Sequence, residues 1–418
     1  MYKATIRAAY IGNLVAALVT NLPPLLFVTF MNYYGLTYEQ VGRLILINFL
    51  TQIVSDLVNS RFVDRYGVRP FITSGHLLVT AGFLLFSASP VLLPSNPYII
   101  MMISTVIFSY GGGLLELLLS AIIGSIPSDQ KAKDMSLLHS FYAWGFIIVV
   151  LATTFLLALA GPKNWQMICI LWAFVPLANF FLFLKVPLAP IAPHGKHLKF
   201  RTMIRSPFFL LILAGIAIGG ASEVTMSQWI STFAETSLHL DKTTGDLAGV
   251  LLFAFFLGLG RLLYGKYGKD EHIWQLMLGG SFVALACYIV AGTSRLPYLS
   301  LGACILCGMG VSLLWPGSIV LAQNHFPHAS AGLFALLAAS GDTGAAVGPY
   351  VVSIVSDWQK ILGNSRALQT GLLFASLFPF LMLLILCMIY CADRRSVSSP
   401  KGQKATFLKY RKGSASDE

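Results

Sequence analysis

The sequence contains few charged residues, because only 11% of its 418 residues are Asp, Glu, Lys or Arg. Soluble globular chains carry about 25%, so the composition excludes an ordinary soluble enzyme. The GxxxxGK[ST] pattern that holds nucleotide phosphates is absent, which argues against transport driven by ATP. Nucleophile-elbow patterns and metal-ligand spacings are also absent. We therefore predict no enzymatic activity, no catalytic residue, no metal and no cofactor.

Cysteine is scarce, with six residues in the chain, and all six lie inside apolar stretches. They are Cys169, Cys287, Cys304, Cys307, Cys387 and Cys391. Cys304 and Cys307 form a CxxC pair, but no other ligand type lies near them in the sequence. We expect packing thiols here rather than a redox or zinc site.

Long apolar runs are what the sequence has in abundance: 56% of the residues are hydrophobic and the mean hydropathy is +0.75. About 20 such residues cross the roughly 30 Å hydrocarbon core of a bilayer. The first run is too long for a signal-peptide core and lacks a cleavage site, so we expect it to be retained. An all-α membrane protein is predicted, with twelve spans at about 8–34, 40–62, 70–90, 97–123, 134–160, 164–187, 207–234, 243–265, 273–293, 296–323, 329–356 and 366–391.

The basic residues predict the orientation of these spans. With both termini inside, 22 of the 28 Lys and Arg residues fall in or beside inner segments and 6 beside outer loops. This bias is the one that cytoplasmic loops show. It accounts for the net charge of +11 without nucleic acid, and it predicts a multi-pass protein of the cell's inner (cytoplasmic) membrane with both termini cytoplasmic.

The spans divide into two halves. Residues 188–206 form a basic, Pro-containing linker between a six-helix bundle at 1–187 and a second at 207–391, and a polar cytoplasmic tail follows at 392–418. Gly145 and Gly344 occupy matching spans 199 residues apart. Pro23 with Pro24, and Pro316, should kink the first and tenth spans. Repeated halves with broken helices are typical of a transporter with a central cavity.

A short basic loop, SRFVDRYGVR at 60–69, joins the second and third spans. A partial copy, GRLLYGKYGK, follows the eighth span at 260–269. The loop is interpreted as an inner gate whose arginines pair with helix C-terminal carbonyls and with acids across the two halves. The predicted gating residues are Asp56, Arg61, Asp64, Arg65, Arg69 and Arg261.

With twelve spans in two halves, this loop resembles that of the major facilitator superfamily, over about residues 5–392. Asp64, Arg65, Gly67 and Arg69 match the family loop, whereas Ser60 and Val68 depart from it. The segments LLHSFYAWG (137–145), GASEVTMSQWISTFAE (220–235) and FALLAASGDTGAAVGP (334–349) resemble a firmicute branch related to the fucose–proton symporters. The resemblance implies a secondary transporter, expected as a monomer, that rocks two halves around one site.

Four acids lie well inside predicted spans, where an ionised carboxylate costs about 2.5–3.5 kcal/mol. They are Asp56, Glu116, Glu223 and Asp342. Each must face the bundle interior, find a distant partner or be protonated. Glu116, Glu223 and Asp342 are the proton-coupling candidates, with a structural hydrogen bond as the alternative for each.

The fucose symporter family uses a glutamate of the fourth helix, which Glu116 matches. That family also uses an aspartate of the first helix. Here residues 8–34 contain no acid, and Asn21 is the nearest polar substitute.

Amides and aromatic rings near these acids suit a polyhydroxylated solute, since amides bond hydroxyls and indoles stack on sugars. The substrate-binding candidates are Asn21, Asn48, Gln52, His139, Trp144, Gln228, Trp229 and Trp315. The alternatives are an interfacial belt for Trp229, simple packing for Trp144 and Trp315, and a polar contact near the inner interface for His139, which is also a candidate proton relay. Asn48 and Gln52 share one helix face and either line the cavity or bond another helix.

Together these features predict a secondary transporter that moves a small polar solute by proton-coupled alternating access, with a sugar as the first candidate from the resemblance. The expected partners are the solute and the lipid bilayer. Efflux of drugs or metabolites is the alternative within transport, and a non-transporting membrane sensor is the alternative from another class. Uptake versus efflux, and proton versus sodium coupling, stay open at this point.

Overall fold

The computed structural model describes residues 2–127, 131–189, 206–269, 272–326 and 331–398. Every regular element in these ranges is a helix, and the described residues contain no strand. Most of the predicted linker 188–206 and of the predicted tail 392–418 lies outside the described residues. So do the side chains of Arg61 and Asp64, whose predicted gating roles stay predictions.

The first group of helices runs from Lys3 to Lys185, and its members pack mainly against one another. They are α1 (Lys3–Asn21), α2 (Phe27–Tyr34), α3 (Tyr38–Tyr66), α4 (Val68–Leu92), α5 (Pro97–Ser125), α6 (Lys131–Ala160) and α7 (Trp165–Lys185).

The second group follows the linker. Its helices are α8 (Pro207–Thr236), α9 (Leu252–Tyr267), α10 (Ile273–Thr293), α11 (Pro297–Val311), α12 (Leu314–His325), α13 (Ala331–Ile361), α14 (Ala367–Ala375) and α15 (Leu377–Ser398). A π-helical turn, Gly245–Leu251, leads into α9.

Ten of the described helical segments are long and apolar enough to cross a membrane, and the bent pair α1 and α2 makes an eleventh. The helix α13, predicted as the eleventh span in chain order, is not among them although it has 31 residues. Its inner half contains the polar and small run SGDTG at 340–344, which lowers its hydropathy. We call the end of the bundle that holds Tyr38 and Asp357 the outer end, following the charge pattern, and the opposite end the inner end.

Both predicted kinks are confirmed, and both follow from proline chemistry. Pro23 and Pro24 open a short 3₁₀ turn, and α1 and α2 meet there at a bend of 41°. Pro316 lies just after the break between α11 and α12. Because proline has no N–H, the carbonyl four residues earlier, that of Ser312, loses its helical partner.

Two glycines of matching position bring helices together in the two halves. A Cβ at Gly145 of α6 would lie 2.8 Å from the Leu14 Cα of α1. A Cβ at Gly344 of α13 would overlap the backbone carbonyl of Ala217 in α8. The predicted pair therefore performs the same packing task in both halves, since small residues let helix backbones approach closely.

We expect Gly344→Ala to destabilise the protein, because the new methyl group meets a backbone oxygen that cannot turn aside. Overpacking of this kind costs about 1–3 kcal/mol. Gly302→Ala is the matched control, since a Cβ there meets no atom within 4 Å. Thermal unfolding in detergent should show a lower midpoint for Gly344→Ala only. Equal midpoints for the two variants would contradict the packing argument.

The two groups of helices meet chiefly where α3 packs against α13, and where α6 packs against the π-turn before α9. These contacts cluster toward the outer end. A Cβ at Gly42, in the outer half of α3, would overlap the Ser353 side chain of α13. The halves are therefore in close contact at the outer end.

Candidate functional site

A layer of three acids lies between the halves, in the inner part of the bundle. Asp56 of α3, Glu116 of α5 and Asp342 of α13 each lie about 15 Å from the inner end of their helix, at a rise of about 1.5 Å per residue. Their charges act on one another across the interface of the halves. The Glu116 side chain is exposed, and Asp56 and Asp342 lie within electrostatic range of it. The Glu116 side chain is therefore not enclosed by neighbouring side chains at this depth.

No Lys, Arg or His side chain among the described residues forms an ion pair with Asp56, Glu116 or Asp342. Asp342 is only 7% exposed, and one carboxylate oxygen of Asp56 is buried with no hydrogen-bond partner. Asp56 is within electrostatic range of Glu116, and its predicted membership of an inner-gate cluster with Arg61 and Asp64 stays a prediction because those two side chains lie outside the described residues.

Glu223 of α8 has a partner, Arg261 of α9, which is 38 residues away in the chain. The Arg261 Nη2 donates to both carboxylate oxygens of Glu223, each at 2.8 Å. Arg261 is 43% exposed and Glu223 13% exposed at their side chains. Arg261 therefore has its acidic partner within its own half, and its predicted gating role stays a prediction.

The Pro316 break helps to position this ion pair. The Arg261 Nε donates to the Ser312 carbonyl at 3.1 Å, which is the oxygen that Pro316 leaves without a helical partner. One guanidinium therefore joins Glu223 of α8 to the end of α11. Because both contacts hold the same planar group, Arg261 has a fixed orientation toward Glu223.

Tyr142 of α6 lies between the acid layer and the ion pair. Its hydroxyl is beside Thr20 and Asn21 of α1, and both Glu116 and Glu223 are close enough to act on it electrostatically. Tyr142 was not among the predicted site residues, although it lies three residues after His139 in the segment 137–145. Tyr142 therefore lies within electrostatic range of an acid from each half.

At the outer end, Asp357 of α13 closes the gap between the halves. Its two carboxylate oxygens accept the backbone N–H groups of Tyr38 at 3.0 Å and Glu39 at 2.6 Å, at the start of α3. The Tyr350 hydroxyl of α13 donates to Glu39 at 3.2 Å. A carboxylate at a helix N-terminus satisfies free N–H groups and complements the helix dipole. One half therefore caps a helix of the other.

A second outer contact is centred on Asp246, in the π-turn before α9. Asp246 is fully buried and accepts a hydrogen bond from Thr154 of α6 at 2.8 Å, across the two halves. Ser231 of α8 also donates to it, and Lys242 forms an ion pair with it at 3.1 Å. Asp246 falls inside the predicted span 243–265 but is not among the four predicted intramembrane acids.

Aromatic side chains fill the space beneath these contacts. Trp229 of α8 is fully buried, and its ring lies 5.7 Å from that of Phe27 and 6.0 Å from that of Tyr38, both in the first half. Its indole N–H donates to the Pro349 carbonyl at 3.0 Å. This burial excludes the interfacial belt as an account of Trp229. Gln228 beside it is 2% exposed and has no hydrogen-bond partner among the described residues.

The sequence matches the Major Facilitator Superfamily profile over residues 9–349, which is most of the chain. The chain belongs to the major facilitator superfamily. No curated relative matches the sequence. Solved structures of low identity share the fold.

One is a bacterial homologue of the human lysosomal transporter Spinster in an inward-facing, occupied conformation, with a TM-score of 0.75, 13% identity, and coverage of 95% of this chain and 98% of the other. A D-xylose–proton symporter has a TM-score of 0.69 and 15% identity over 90% and 96% of the two chains. The Escherichia coli fucose–proton symporter has a TM-score of 0.60 and 14% identity over 93% and 99%.

In this major facilitator protein, Arg65 and Arg69 of the 60–69 loop make no hydrogen bond between the two halves among the described residues. Arg69 donates to the carbonyls of Phe183, Leu184 and Val186 at 2.7–2.8 Å, at the end of α7 in its own half. Arg65 is exposed, with its guanidinium over the ring of the adjacent Tyr66. Arg69 therefore has the predicted kind of partner, helix C-terminal carbonyls, but within its own half. The gating roles of both arginines stay predictions. The cross-half contacts of the described residues lie at the outer end instead.

Several side chains that were predicted to bind the solute instead contact other parts of this protein. The Asn48 side-chain oxygen accepts hydrogen bonds from Gln52 at 3.0 Å and from Ser109 of α5 at 2.6 Å, so these amides bond another helix. The Trp315 ring lies against Gly341, where a Cβ would be 2.6 Å from it. Asn21 donates to the Ala17 carbonyl in its own helix at 2.8 Å.

Trp144 is 58% exposed and lies on a stripe of α6 with other exposed apolar residues at helical spacing. That stripe contains Ile148, Leu151, Phe155 and Leu159. An apolar stripe along a membrane helix is typical of a face in contact with lipid, which corrects its predicted place in the cavity. His139 is exposed near the start of the same helix, and its role as a proton relay stays a prediction.

Proposed function

We propose that this protein is a proton-coupled secondary transporter that moves a small polar solute by alternating access. The observation that carries the proposal is that Asp56 and Glu116 of the first half and Asp342 of the second lie at a similar depth, within electrostatic range of one another, and form no ion pair among the described residues. Carboxyls in such surroundings exchange protons readily, because ionising all three at once is opposed by their mutual repulsion.

The described contacts support one state of an alternating-access cycle. The outer end is closed by Asp357 on α3 and by Thr154 on Asp246, whereas Glu116 at the inner layer is exposed to water. We infer an inward-open state in a twelve-span protein of the cytoplasmic membrane, acting as a monomer with both termini inside. Twelve spans follow if α13 crosses the membrane beside the other eleven.

The roles of the acids differ in this proposal. Glu116 is the primary proton site because it is exposed and lies near Asp56, Asp342 and Tyr142. Asp342 is the partner from the other half. Glu223 acts with Arg261 as an ion pair at the centre of the site, where a solute with hydrogen-bonding groups can contact both members.

The solute is a small polar molecule, and sugars are the first class to screen because two of the structural neighbours are sugar–proton symporters. Efflux of a drug or metabolite is the alternative: the same acids would bind protons, but the solute would move out of the cell as protons move in. No feature of the described residues favours a sensor over a transporter.

The test is flux into liposomes that contain the purified protein, with a pH gradient imposed across the membrane. Sugars, nucleosides, organic acids, amines and drugs form the solute panel. We expect at least one solute to move against its gradient when protons flow, and to stop when an ionophore collapses the pH gradient. Proton coupling would be refuted if a sodium gradient, with no pH gradient, drove the solute as well as a pH gradient does.

A further inference from the structure

The ion pair of Glu223 and Arg261 presents its positive member to its surroundings. The Arg261 side chain is 43% exposed, whereas that of Glu223 is 13% exposed. Both carboxylate oxygens of Glu223 accept from a single nitrogen, Nη2, at 2.8 Å each. The Nη1 of Arg261, with its two N–H groups, makes no hydrogen bond with any described residue. The pair therefore leaves donors of a charged group available to a ligand.

The packing of α9 against the end of α11 holds this guanidinium in place. A Cβ at Gly260 would lie 2.3 Å from the Ser312 Oγ, so the two backbones are close together next to Arg261. The Arg261 Nε donates to the Ser312 carbonyl at 3.1 Å. A side chain that is already fixed loses little conformational freedom when a ligand binds. The free donors are therefore in position before a ligand arrives.

We infer that Arg261 binds a carboxylate of the transported solute, which is an organic anion such as a sugar acid. The inference rests on the proposed function, since it names the class of solute for the same transport site. A guanidinium binds a carboxylate best through two parallel hydrogen bonds from two of its nitrogens. Glu223 does not use this geometry, because both of its oxygens contact one nitrogen. The edge formed by Nη1 and Nη2 is the place for the solute carboxylate.

Charge selects among the possible solutes. The exposed guanidinium attracts an anion and repels a cation, whereas a neutral solute gains only hydrogen bonds. Glu223 weakens this attraction because its carboxylate is paired with the same guanidinium. The solute carboxylate therefore competes with Glu223 for Arg261, and removing the negative charge of Glu223 should strengthen the binding of an anion.

An anionic solute also gives a physical reason for the coupling to protons. Asp56, Glu116 and Asp342 form no ion pair among the described residues. Tyr142 lies within electrostatic range of both Glu116 and Glu223, so the three acids are near the ion pair. While they are ionised, these acids oppose the entry of another negative charge, and protons bound to them remove that opposition. The anion and the protons therefore move in the same direction.

The test measures ligand-induced stabilisation of the purified full-length protein at constant ionic strength, since specific binding raises the unfolding midpoint. Gluconate, sorbitol and N-methylglucamine supply an anion, a neutral molecule and a cation on similar carbon frames. Glucuronate and benzoate extend the anions in shape.

Each compound is titrated against the wild type, Glu223→Gln, Arg261→Lys, and a double variant that combines Glu223→Gln with Arg261→Gln. The double variant removes both charges together, so that neither is left unpaired inside the protein. Lys266→Gln is the control, since Lys266 is an exposed cation near the end of the same helix.

We expect at least one of the three anions, but neither sorbitol nor N-methylglucamine, to stabilise the wild type. The double variant should weaken the affinity for that anion about tenfold or more, because charged hydrogen bonds are lost. Arg261→Lys should also weaken it, since an ammonium group lacks the planar pair of donors. Glu223→Gln should strengthen it, and Lys266→Gln should leave it unchanged.

The inference would be overturned if none of the anions stabilised the protein, or if sorbitol or N-methylglucamine bound as tightly as the anions. It would also be overturned if the double variant kept the affinity of the wild type, or if Glu223→Gln weakened the binding of the anion. Sorbitol flux driven by a pH gradient, without binding of any anion, would exclude the anion site while leaving proton-coupled transport intact. Binding of an anion that no pH gradient can move would do the reverse.

Discussion

Glu116→Gln should abolish the response of solute flux to a pH gradient. If one proton moves per solute, a gradient of one pH unit changes the accumulation ratio about tenfold, because it corresponds to about 1.4 kcal/mol. Gln keeps the shape and hydrogen-bonding capacity of Glu116 but cannot bind and release a proton. The accumulation ratio of the variant should therefore fall to about one with and without the gradient.

The measurement compares solute accumulation by wild-type and variant protein in liposomes at several imposed pH gradients. Asp241→Asn is the control, since it removes a carboxylate from an exposed loop at the outer end. Flux through Glu116→Gln with an unchanged proton dependence would exclude Glu116 as the coupling residue. Coupling would then have to run through Asp56, Asp342 or the Glu223 pair.

Asp357→Asn should open the outer end. Two backbone N–H groups of α3 lose a charged acceptor, and hydrogen bonds to charged groups contribute about 1.5–3 kcal/mol each. Asn can still accept one of the two hydrogen bonds, so we expect a net loss of about 1.5 kcal/mol for the closed outer end. That loss shifts the ratio of outward-open to outward-closed protein about tenfold.

A cysteine placed at Ser353 reports this shift, because Ser353 is fully buried against Gly42 while the outer end is closed. A membrane-impermeant thiol reagent added from outside should label Ser353→Cys about ten times faster when Asp357→Asn is also present. Ser353→Cys with Asp241→Asn gives the baseline, so that reactions of native thiols cancel. Equal labelling rates in the two backgrounds would show that Asp357 does not hold the outer end closed.

Much of the fold could be predicted from the sequence, because hydrophobic length and proline chemistry act locally. The apolar runs predicted the long helices, and Pro23 with Pro24 and Pro316 predicted the breaks. Gly145 and Gly344, matched by their spacing in the sequence, both lie at close helix contacts. Each of these features depends on a few neighbouring residues, so no knowledge of the tertiary arrangement was needed.

The partners of the intramembrane acids could not be predicted in the same way. Glu223 has Arg261 as its partner only because α8 and α9 run antiparallel and the Pro316 break frees the Ser312 carbonyl. Asp56 lies within electrostatic range of Glu116, which is 60 residues away in the chain. Contacts between distant helices follow from packing, which a single sequence does not display.

The outer contacts were missed for a related reason. Asp357 lies just beyond the predicted span 329–356, where an acid at a helix end needs no special account. The basic charge of the 60–69 loop predicted a gate at the inner end instead. In the structure, backbone N–H groups of α3 are the partners of Asp357, and backbone groups carry no signal in the sequence.

Proton movement caused by solute tests the central claim most directly. Liposomes that contain the protein and a trapped pH-sensitive dye receive a solute that the flux screen identifies, with no pH gradient imposed beforehand. The account predicts that the internal pH changes with the solute flux, and that Glu116→Gln removes the pH change. Solute entry that leaves the internal pH constant in the wild-type protein would contradict proton coupling through the acid layer.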